Sequence, residues 1–524
     1  MTKYLVSRIL RGLLSVLIVV GIVMMMIYAF LDRRTIFAED PVYSKQKSNA
    51  KQVYMMQQWE RYGYLDYVPY ADYLAQLLSR GEIDGQTYDA AVKLGRTPAA
   101  DSGTTKNYVN QFAQEYEEKG YTVVRLKGDT QGNSQKYKEG GEPRLYAHRD
   151  IPVLTRLWRY ITGIITVDNI HNAQGDVGKR GLTFTLYDPV YGGEKFSPAI
   201  LGNGTTHKYL LYFDNRFPYI HQNLVKVNLG LSYSVNKGVD VAQTMTASQG
   251  SFVRRQVTYP TGVVEQTADD LHTATYSPGS LQSNPLKQKY FVDDYTNVST
   301  AKTGLSRLGY SFTIGILAVV LAYLLAIPLG IAMARHKDKG LDKLGTVYIV
   351  FITAVPSLAY IFLFQSIGGR LGLPTAFDME NPSWLMYILP VISLALPATA
   401  NLMKWLRRYM IDQMNGDYVK FARSGGLSEG EIFRKHVLRN AGIPLVHGIP
   451  ASILGALTGA IITERVYVVP GAGNLLTNAI NAYDNGVIVG VTLFYALLTV
   501  TSVIVGDVLM SLADPRITFT PKGR

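Results

Sequence analysis

Residues Lys404–Asn440 read KWLRRYMIDQMNGDYVKFARSGGLSEGEIFRKHVLRN, a basic stretch between two long apolar segments. Apolar side chains at helical spacing predict a helix up to Met414, and the Asn-Gly pair that follows ends it. Asp417 is expected to cap a short second helix, which the Gly-Gly pair at 425–426 ends. The pattern therefore predicts helices joined by glycine turns rather than an irregular loop.

The second half of this stretch begins with a capping box. Ser428 is followed three residues later by Glu431, which predicts a further helix. A solvated basic loop that obeys the positive-inside rule would account for the charges. It would not account for the aromatic side chains of Tyr418, Phe421 and Phe433, which we expect to be exposed. We therefore predict that another protein docks on this stretch.

The composition indicates a chain with two unlike parts. Its 524 residues are 47% hydrophobic and 18% charged, with a formal net charge of +12, yet the mean hydropathy is only +0.06. A positive charge can indicate nucleic-acid binding, but much of the basic excess lies in short loops beside apolar segments, which is typical of membrane orientation. The chain has no cysteine, so disulfides and thiolate–metal chemistry are excluded.

Six apolar segments are long enough to cross a membrane. They occupy residues 12–31, 308–334, 344–369, 381–403, 441–463 and 486–506. The first exceeds the apolar core of a signal peptide and has no A-x-A cleavage site after it, so we expect it to remain as a helix. Basic residues concentrate in the opening segment and in 336–343, which predicts cytoplasmic termini and an extracellular position for residues 34–303.

Residues 34–303, here called the inserted domain, contain no further segment of that length and are predicted to mix helices and strands. Helices are expected at 53–65, 70–78, 106–119 and 153–165, and strands at 121–126, 182–186 and 208–213. A hairpin is expected at 252–265 with its turn at 260–262. Residues 275–303 are rich in Ser, Asn and Pro and are expected to lead back to the membrane.

Energy coupling of the usual kinds is absent from the sequence. No G-x-x-x-x-G-K-[ST] motif occurs, and its nearest approach, Gly340–Thr346, lacks the lysine, so the chain should not hydrolyse ATP. No H-E-x-x-H motif occurs, and neither a metal nor a cofactor is expected. The apolar segments carry no charge at mid-depth, which argues against a proton- or sodium-coupled carrier. Energy should therefore enter from a partner through Lys404–Asn440.

This stretch resembles the E-A-A motif of ABC-importer permeases, a glycine-hinged helix pair that sits in a groove of the ATPase subunit. Gly426 falls on the motif's glycine and Ala422 on its second alanine, whereas Lys420 and Phe421 replace its glutamate and first alanine. The pattern A-R-x-x-G-L…R-K-H…R-N-A…P is usual in the dipeptide and oligopeptide branch. It is met here by Ala422, Arg423, Gly426, Leu427, Arg434, Lys435, His436, Arg439, Asn440, Ala441 and Pro444.

A second signature follows the fifth apolar segment. Thr463–Gly473 is similar to the outer E-x-V-F-x-x-P-G-x-G signature of peptide permeases, with Tyr467 where Phe is usual. The D-P-R sequence at 514–516 also resembles that branch. The resemblance implies an outer gate or loop built from Glu464, Pro470, Gly471 and Gly473.

The resemblance implies a type I ABC-importer transmembrane fold of six helices with an α+β extracellular domain between the first two. This is the organisation of the long permeases of some Gram-positive peptide importers. Residues 1–33 would form the first helix and 304–524 the five-helix core. The implied ATPase-docking residues are Asp417, Tyr418, Phe421, Ala422, Arg423, Gly425, Gly426, Leu427, Ser428, Glu431, Ile432, Phe433 and His436.

Such a subunit is not an enzyme but forms half of the translocation pathway for oligopeptides in the cell membrane. Its implied partners are a second permease subunit, two cytoplasmic ATPase subunits, an extracellular peptide-binding lipoprotein and the peptide itself. The inserted domain is expected to help seat the binding protein, although most of its tyrosines are expected to form its own core.

Other functions remain open from the sequence. An importer of nickel or another small solute belongs to the same branch, and a secondary carrier or channel is a rival of another class. A signalling or adhesion protein would need only one membrane helix to anchor its outer domain. Co-purifying ATPase subunits would separate the importer from these rivals.

Overall fold

The computed structural model describes residues 2–96, 104–126, 144–173, 177–188, 196–214 and 219–513. Helix α1 (Thr2–Phe30) contains most of the first predicted span and begins ten residues before it. It ends where the chain becomes polar. Asp32 then accepts a hydrogen bond of 2.9 Å from the backbone N–H of Arg34 and caps a 3-10 turn at Arg33–Phe37.

The helices of the inserted domain are short. They are α2 (Pro41–Lys45), α3 (Ser48–Arg61), α4 (Tyr70–Ser79), α5 (Gly85–Arg96), α6 (Thr104–Glu118), α7 (Val153–Gly163), α8 (Val241–Thr246), α9 (Ser280–Ser283) and α10 (Pro285–Tyr290). Three of the four predicted helices agree with α4, α6 and α7 to within two residues at each end. The helix predicted at 53–65 is α3, which ends early because Gly63 turns the chain with a φ of +71°.

The strands of the inserted domain pair only in antiparallel fashion among the described residues. They are β1 (Leu65–Pro69), β2 (Thr122–Arg125), β3 (Leu145–Asp150), β4 (Ile165–Val167), β5 (Gly181–Thr185), β6 (Ala199–Asn203), β7 (Tyr209–Asp214), β8 (Tyr219–Gln222), β9 (Val225–Val227), β10 (Arg255–Thr258), β11 (Val264–Thr267), β12 (Asp269–Tyr276) and β13 (Tyr295–Thr300). They form sheets of order β1-β3-β2 and β5-β6-β7-β8 and the pairs β4-β9, β10-β11 and β12-β13.

Two strand predictions fare differently. The predicted hairpin is present as β10 and β11, and Gly262 turns the chain between them with a φ of +84°. Residues 275–303, which were expected to lead back to the membrane, also form secondary structure. This segment contains α9, α10 and β13, and β13 pairs with β12. Composition did not indicate these elements, because Ser, Asn and Pro also cap short helices, as Asn284 caps α10.

Aromatic side chains fill the core of the inserted domain. Tyr70 and Tyr73 of α4 pack against Phe112 and Tyr116 of α6, with ring centroids 4.8–6.4 Å apart along the cluster. All four rings are buried. Aromatic burial of this kind stabilises a domain that has no disulfide. The expectation that tyrosines serve the domain's own core therefore holds for this cluster.

A buried charged cluster ties together separate parts of the same domain. Nε2 of His272, on β12, lies 2.8 Å from Asp188, and its Nδ1 lies 3.4 Å from Asp270. The ring of Tyr212, on β7, stacks on the imidazole with centroids 4.2 Å apart. Burial disfavours a charged ring, but the hydrogen bonds with the two aspartates outweigh it and raise the pKa of His272.

The membrane part of the chain follows the inserted domain. Its helices are α11 (Arg307–Arg335), α12 (Gly340–Ala354), α13 (Ser357–Arg370), α14 (Ile388–Met414), α15 (Asp417–Ser424), α16 (Glu429–Ile432), α17 (Leu438–Val466), α18 (Ala472–Asn481) and α19 (Asn485–Ala513). With α1, the described residues hold five helices long and apolar enough to cross a membrane, or six if α12 and α13 count as one span.

The third predicted span is sharply bent. The chain changes direction by 107° between α12 and α13. Pro356 stands at the break and Val355 before it is extended, as residues preceding proline usually are. Residues 344–369 can therefore form the predicted span only as a bent pair of helices, and the proline is the physical reason for the bend.

Small residues allow the membrane helices to approach one another. Ala318 and Ala322 of α11 are buried together with Ala395 of α14. A Cβ on Gly12 of α1 would lie 2.3 Å from the side chain of Val500 on α19. Membrane helices associate largely through such close packing, because lipid provides no hydrophobic force between them.

Candidate functional site

The predicted docking stretch is helical throughout most of its length and connects α14 to α17. One side of α15 is buried: Val419 and Ala422 pack with Ile432 of α16 and with Leu406 and Met410 of α14. Because these contacts are internal, α15 is fixed on the end of the membrane helices. The other side of α15 is left free to contact a partner.

Glycine turns the chain between α15 and α16. Gly426 has a φ of +83°, a conformation that residues with a Cβ rarely adopt. The N–H of Leu427 then donates to the carbonyl of Ala422 at 3.2 Å. Ser428 and Glu431 form the predicted capping box, in which each accepts a hydrogen bond from the other's backbone N–H. The capping-box prediction is confirmed.

One detail of the docking prediction is wrong. Gly416, not Asp417, is the N-cap of α15, and Asp417 in the first turn pairs instead with Lys420 at 2.9 Å. The helix that begins at the capping box is not a separate unit. It passes through a π-helical turn at Phe433–Val437 and continues as α17. The continuity means that a movement of α16 would be transmitted to a membrane helix.

Exposure divides the predicted docking residues into two groups. Exposed side chains or turn positions are Asp417, Tyr418, Phe421, Arg423, Gly425, Gly426, Ser428 and Glu431, with Leu427 and His436 half-buried. Buried ones are Ala422, Ile432 and Phe433. Phe421 is 80% exposed, whereas Phe433 packs inside beneath the guanidinium of Arg335, 4.1 Å from its ring centre. The expected exposure of Phe433 is therefore wrong.

An ion pair between Arg423 and Glu429 spans the glycine turn near Phe421. The guanidinium of Arg423 donates two hydrogen bonds to Glu429, at 2.5 and 3.1 Å, across the glycine turn. These bonds raise the pKa of Arg423. Both side chains are more than half exposed, so the pair orients the turn more than it stabilises the fold.

A buried ion pair that the sequence did not predict joins α12 to α14. Arg407 donates to both carboxylate oxygens of Asp342, at 2.5 and 2.7 Å, and Asp342 is almost fully buried. The same carboxylate accepts from the backbone N–H of Asp338 at 2.8 Å. Bidentate pairs of this kind fix relative orientation. The available signal was the presence of two acids, Asp338 and Asp342, in a loop that is basic overall.

The second predicted group, after α17, is organised around Glu464. This side chain is fully buried and accepts hydrogen bonds from Ser311 on α11, at 2.6 Å, and from the N–H groups of Gly473 and Asn474, at 2.9 and 3.1 Å. A Cβ on Gly471 would lie 2.3 Å from the carboxylate. The structure thus brings Glu464, Gly471 and Gly473 together.

Two further residues of the signature, Pro470 and Tyr467, lie in the same segment. Pro470 follows Val469, whose side chain is buried. The hydroxyl of Tyr467 lies 2.9 Å from that of Ser393 on α14, and its ring is buried. Tyrosine where phenylalanine is usual therefore gains a polar contact between α14 and the segment that follows α17.

A third junction, missed by the sequence reading, binds the inserted domain to the membrane helices. The buried carboxylate of Asp484, just before α19, accepts from the hydroxyl of Ser232 at 2.7 Å. It also accepts from the backbone N–H groups of Tyr233, Ser234 and Val235, at 2.8, 2.9 and 3.1 Å. Donors from four consecutive residues of one loop converge on a single side chain.

Glycines bring the two parts into backbone contact at this junction. A Cβ on Gly486 would lie 1.9 Å from the carbonyl oxygen of Leu231, and one on Gly490 would lie 2.5 Å from that of Leu229. No side chain fits at such distances. The partners are about 250 residues apart in the chain, so no local pattern could have indicated their contact.

Comparison with known proteins gives the family. Residues 326–519 match the family described as "Binding-protein-dependent transport system inner membrane component". The chain is similar to the oligopeptide transport system permease protein AmiC of Streptococcus pneumoniae, with 34% identity over all of both chains. It is also similar to the dipeptide transport system permease protein DppB of Lactococcus lactis, with 30% identity over 48% of this chain and 86% of that one.

Among solved structures, an amino acid ABC transporter with histidines covers 40% of this chain and 92% of its own, with 18% identity and a TM-score of 0.31. The end-to-end similarity to a relative at 34% identity, together with the match of the membrane core, decides the assignment. The chain belongs to the inner-membrane permease components of binding-protein-dependent transport systems.

Proposed function

We propose that this chain forms one half of the translocation pathway of an ATP-driven importer of oligopeptides. The observation that supports the substrate class is the similarity to AmiC, which extends over the inserted domain as well as the membrane core. Segments 1–33, 34–303 and 304–524 serve as first helix, extracellular domain and permease core. ATP is hydrolysed by partner subunits, since the sequence has no phosphate-binding motif.

The ATPase docks on the free side of α15 and on the turn that follows it. Phe421 offers a large apolar side chain at the centre of this surface, and Tyr418 lies beside it. The opposite side of α15 is packed on α14 and α16. A push on α15 therefore reaches α14 through Met410 and α17 through Ile432, so that nucleotide binding can alter the packing of both helices.

The assembly contains a second permease subunit, two ATPase subunits in the cytoplasm and a peptide-binding lipoprotein outside a Gram-positive cell. Both termini and the docking surface face the cytoplasm. The inserted domain helps to seat the binding protein over the pathway. Exposed apolar side chains on β5, Leu182 and Phe184, are available for this contact. Unchanged uptake and unchanged capture of the binding protein after Phe184→Ser would contradict this role.

The docking proposal is tested by replacing an exposed aromatic side chain on each side of the membrane. Phe421→Ala should weaken association with the ATPase subunits by about 2 kcal/mol, or roughly 30-fold, the effect of losing an interface anchor. Peptide uptake should fall with it. Phe252→Ala is the control, because Phe252 is 61% exposed but lies in the inserted domain. Unchanged association in the Phe421 variant would refute the docking surface.

Orientation is tested by cysteine labelling, for which the cysteine-free chain gives a clean background. Ser248→Cys and Ser283→Cys, at exposed positions, should react with an impermeant thiol reagent in intact cells. Ser428→Cys should react only after lysis. Labelling of the last variant from outside would reverse the topology, and nickel uptake without peptide uptake would contradict the substrate class.

A further inference from the structure

One face of the inserted domain is apolar and uncovered, and we call it the α7 face. On α7, Leu154 and Trp158 are four residues apart and therefore lie on the same side of the helix. The chain then forms β4, which pairs with β9. The α7 face consists of Leu154, Trp158, Ile165, Val167, Val225 and Val227, which are 44% to 71% exposed.

The register of the two strands explains why four of these residues share one side. Ile165 pairs with Val227 and Val167 with Val225, while Thr166 pairs with Lys226 between them. Side chains alternate along a strand, so the four apolar residues point one way and the Thr–Lys pair points the other. Four exposed β-branched residues in this arrangement form a continuous apolar strip.

The other side of α7 is packed on the first membrane helix. Leu157 approaches Gly21 of α1, where a Cβ would lie 3.4 Å from its Cδ2. The guanidinium of Arg156 stacks on Tyr28 of α1 and on Tyr64, 3.6 and 3.9 Å from the two ring centres. Helix α7 therefore lies directly against α1 rather than above it.

The length of α1 gives the depth of this contact. Its apolar run covers residues 12–31, about 30 Å of helix, which equals the thickness of an apolar core. Gly21 lies nine residues before Phe30, about 14 Å below the end of the helix. The contact with Leu157 thus falls inside the apolar run of α1, at the level of the acyl chains.

We propose that the α7 face is inserted into the acyl-chain region of the leaflet next to the inserted domain. Helix α1 supports lipid as the occupant, because its apolar side chains Ile18, Ile22 and Met25 are exposed at the same level. The domain is then held to the bilayer along α7 as well as through α1 and α11.

The test uses single cysteines in the full chain reconstituted in lipid nanodiscs. Trp158→Cys and Val167→Cys carry an environment-sensitive fluorophore. Leu286→Cys is the matched control, because Leu286 is 65% exposed on α10, compared with 67% for Trp158. Each sample is quenched with nitroxide-bearing phosphatidylcholine and, separately, with aqueous iodide.

Labels at 158 and 167 should be quenched several-fold more by the lipid nitroxide than the control label, and several-fold less by iodide. Quenching by iodide equal to that of the control would overturn the proposal. Protection from both quenchers would also overturn it, because a protein would then cover the face. The Val167 variant is the more conservative of the two and decides the outcome if the Trp158 variant does not fold.

Discussion

Asp484→Asn is expected to detach the inserted domain from the membrane helices. The carboxylate accepts hydrogen bonds on Oδ1 from the backbone N–H groups of Tyr233 and Val487. On Oδ2 it accepts them from Ser232, Ser234 and Val235. An amide keeps only one oxygen, and its NH2 group cannot accept a hydrogen bond. Even in the better of its two orientations, the variant leaves the N–H groups of Tyr233 and Val487 facing another donor.

The size of the effect follows from these bonds. A hydrogen bond to a charged group contributes about 1.5–3 kcal/mol, and an unpaired buried donor costs about 1–3 kcal/mol. Asp484→Asn removes the hydrogen bonds at Oδ1 and the negative charge that strengthens those at Oδ2. It should therefore weaken the junction by about 3 kcal/mol. Since each 1.4 kcal/mol is about a factor of ten, local opening should become roughly 100-fold more frequent.

Hydrogen exchange measures this opening directly, because three of the loop's donors are backbone amides. Exchange at 233–235 should accelerate by about two orders of magnitude, while amides of the β1-β3-β2 sheet keep their rates. Asp378→Asn is the control. Asp378 also caps backbone N–H groups, of Glu380 at 2.9 Å, but within its own exposed loop. Unchanged exchange at 233–235 in the Asp484 variant would refute the role assigned to the junction.

Three other predictions concern single residues. Gly426→Ala should weaken ATPase association about five- to thirty-fold, because a left-handed backbone costs a residue with a Cβ about 1–2 kcal/mol. Gly430→Ala is the control and should leave the association unchanged, because Gly430 lies in a helix with open space around it. Equal effects of the two substitutions would contradict the role of the left-handed turn. His272→Gln should flatten the pH dependence of stability. The pKa of His272 is raised in the folded state, so its protonation stabilises the fold fully below pH 6.5, and this contribution is lost as the pH rises through the folded-state pKa. Thermal unfolding of wild type and variant at about pH 6 and about pH 8 tests this, and parallel shifts would contradict it. Glu464→Gln should lower the unfolding temperature, since its buried carboxylate accepts three hydrogen bonds; an unchanged temperature would be inconsistent with that network.

The sequence predicted those features that depend on neighbours in the chain. The capping box of Ser428 and Glu431 was readable because a cap involves residues three apart. The long membrane helices were readable because lipid requires about 20 consecutive apolar residues. The helices around 70–79 and 104–118 and the 255–267 hairpin were found from periodicity and turn residues in the same way.

Other features were decided only by the tertiary structure. Phe421 and Phe433 look alike in the sequence, yet one is exposed and the other lies beneath Arg335, because only packing determines which side of a helix is covered. The pairing of Asp484 with the loop after Leu231 depends on residues about 250 positions apart. Such contacts form when distant surfaces meet in the folded chain, and burial makes them strong by excluding water from the bonds.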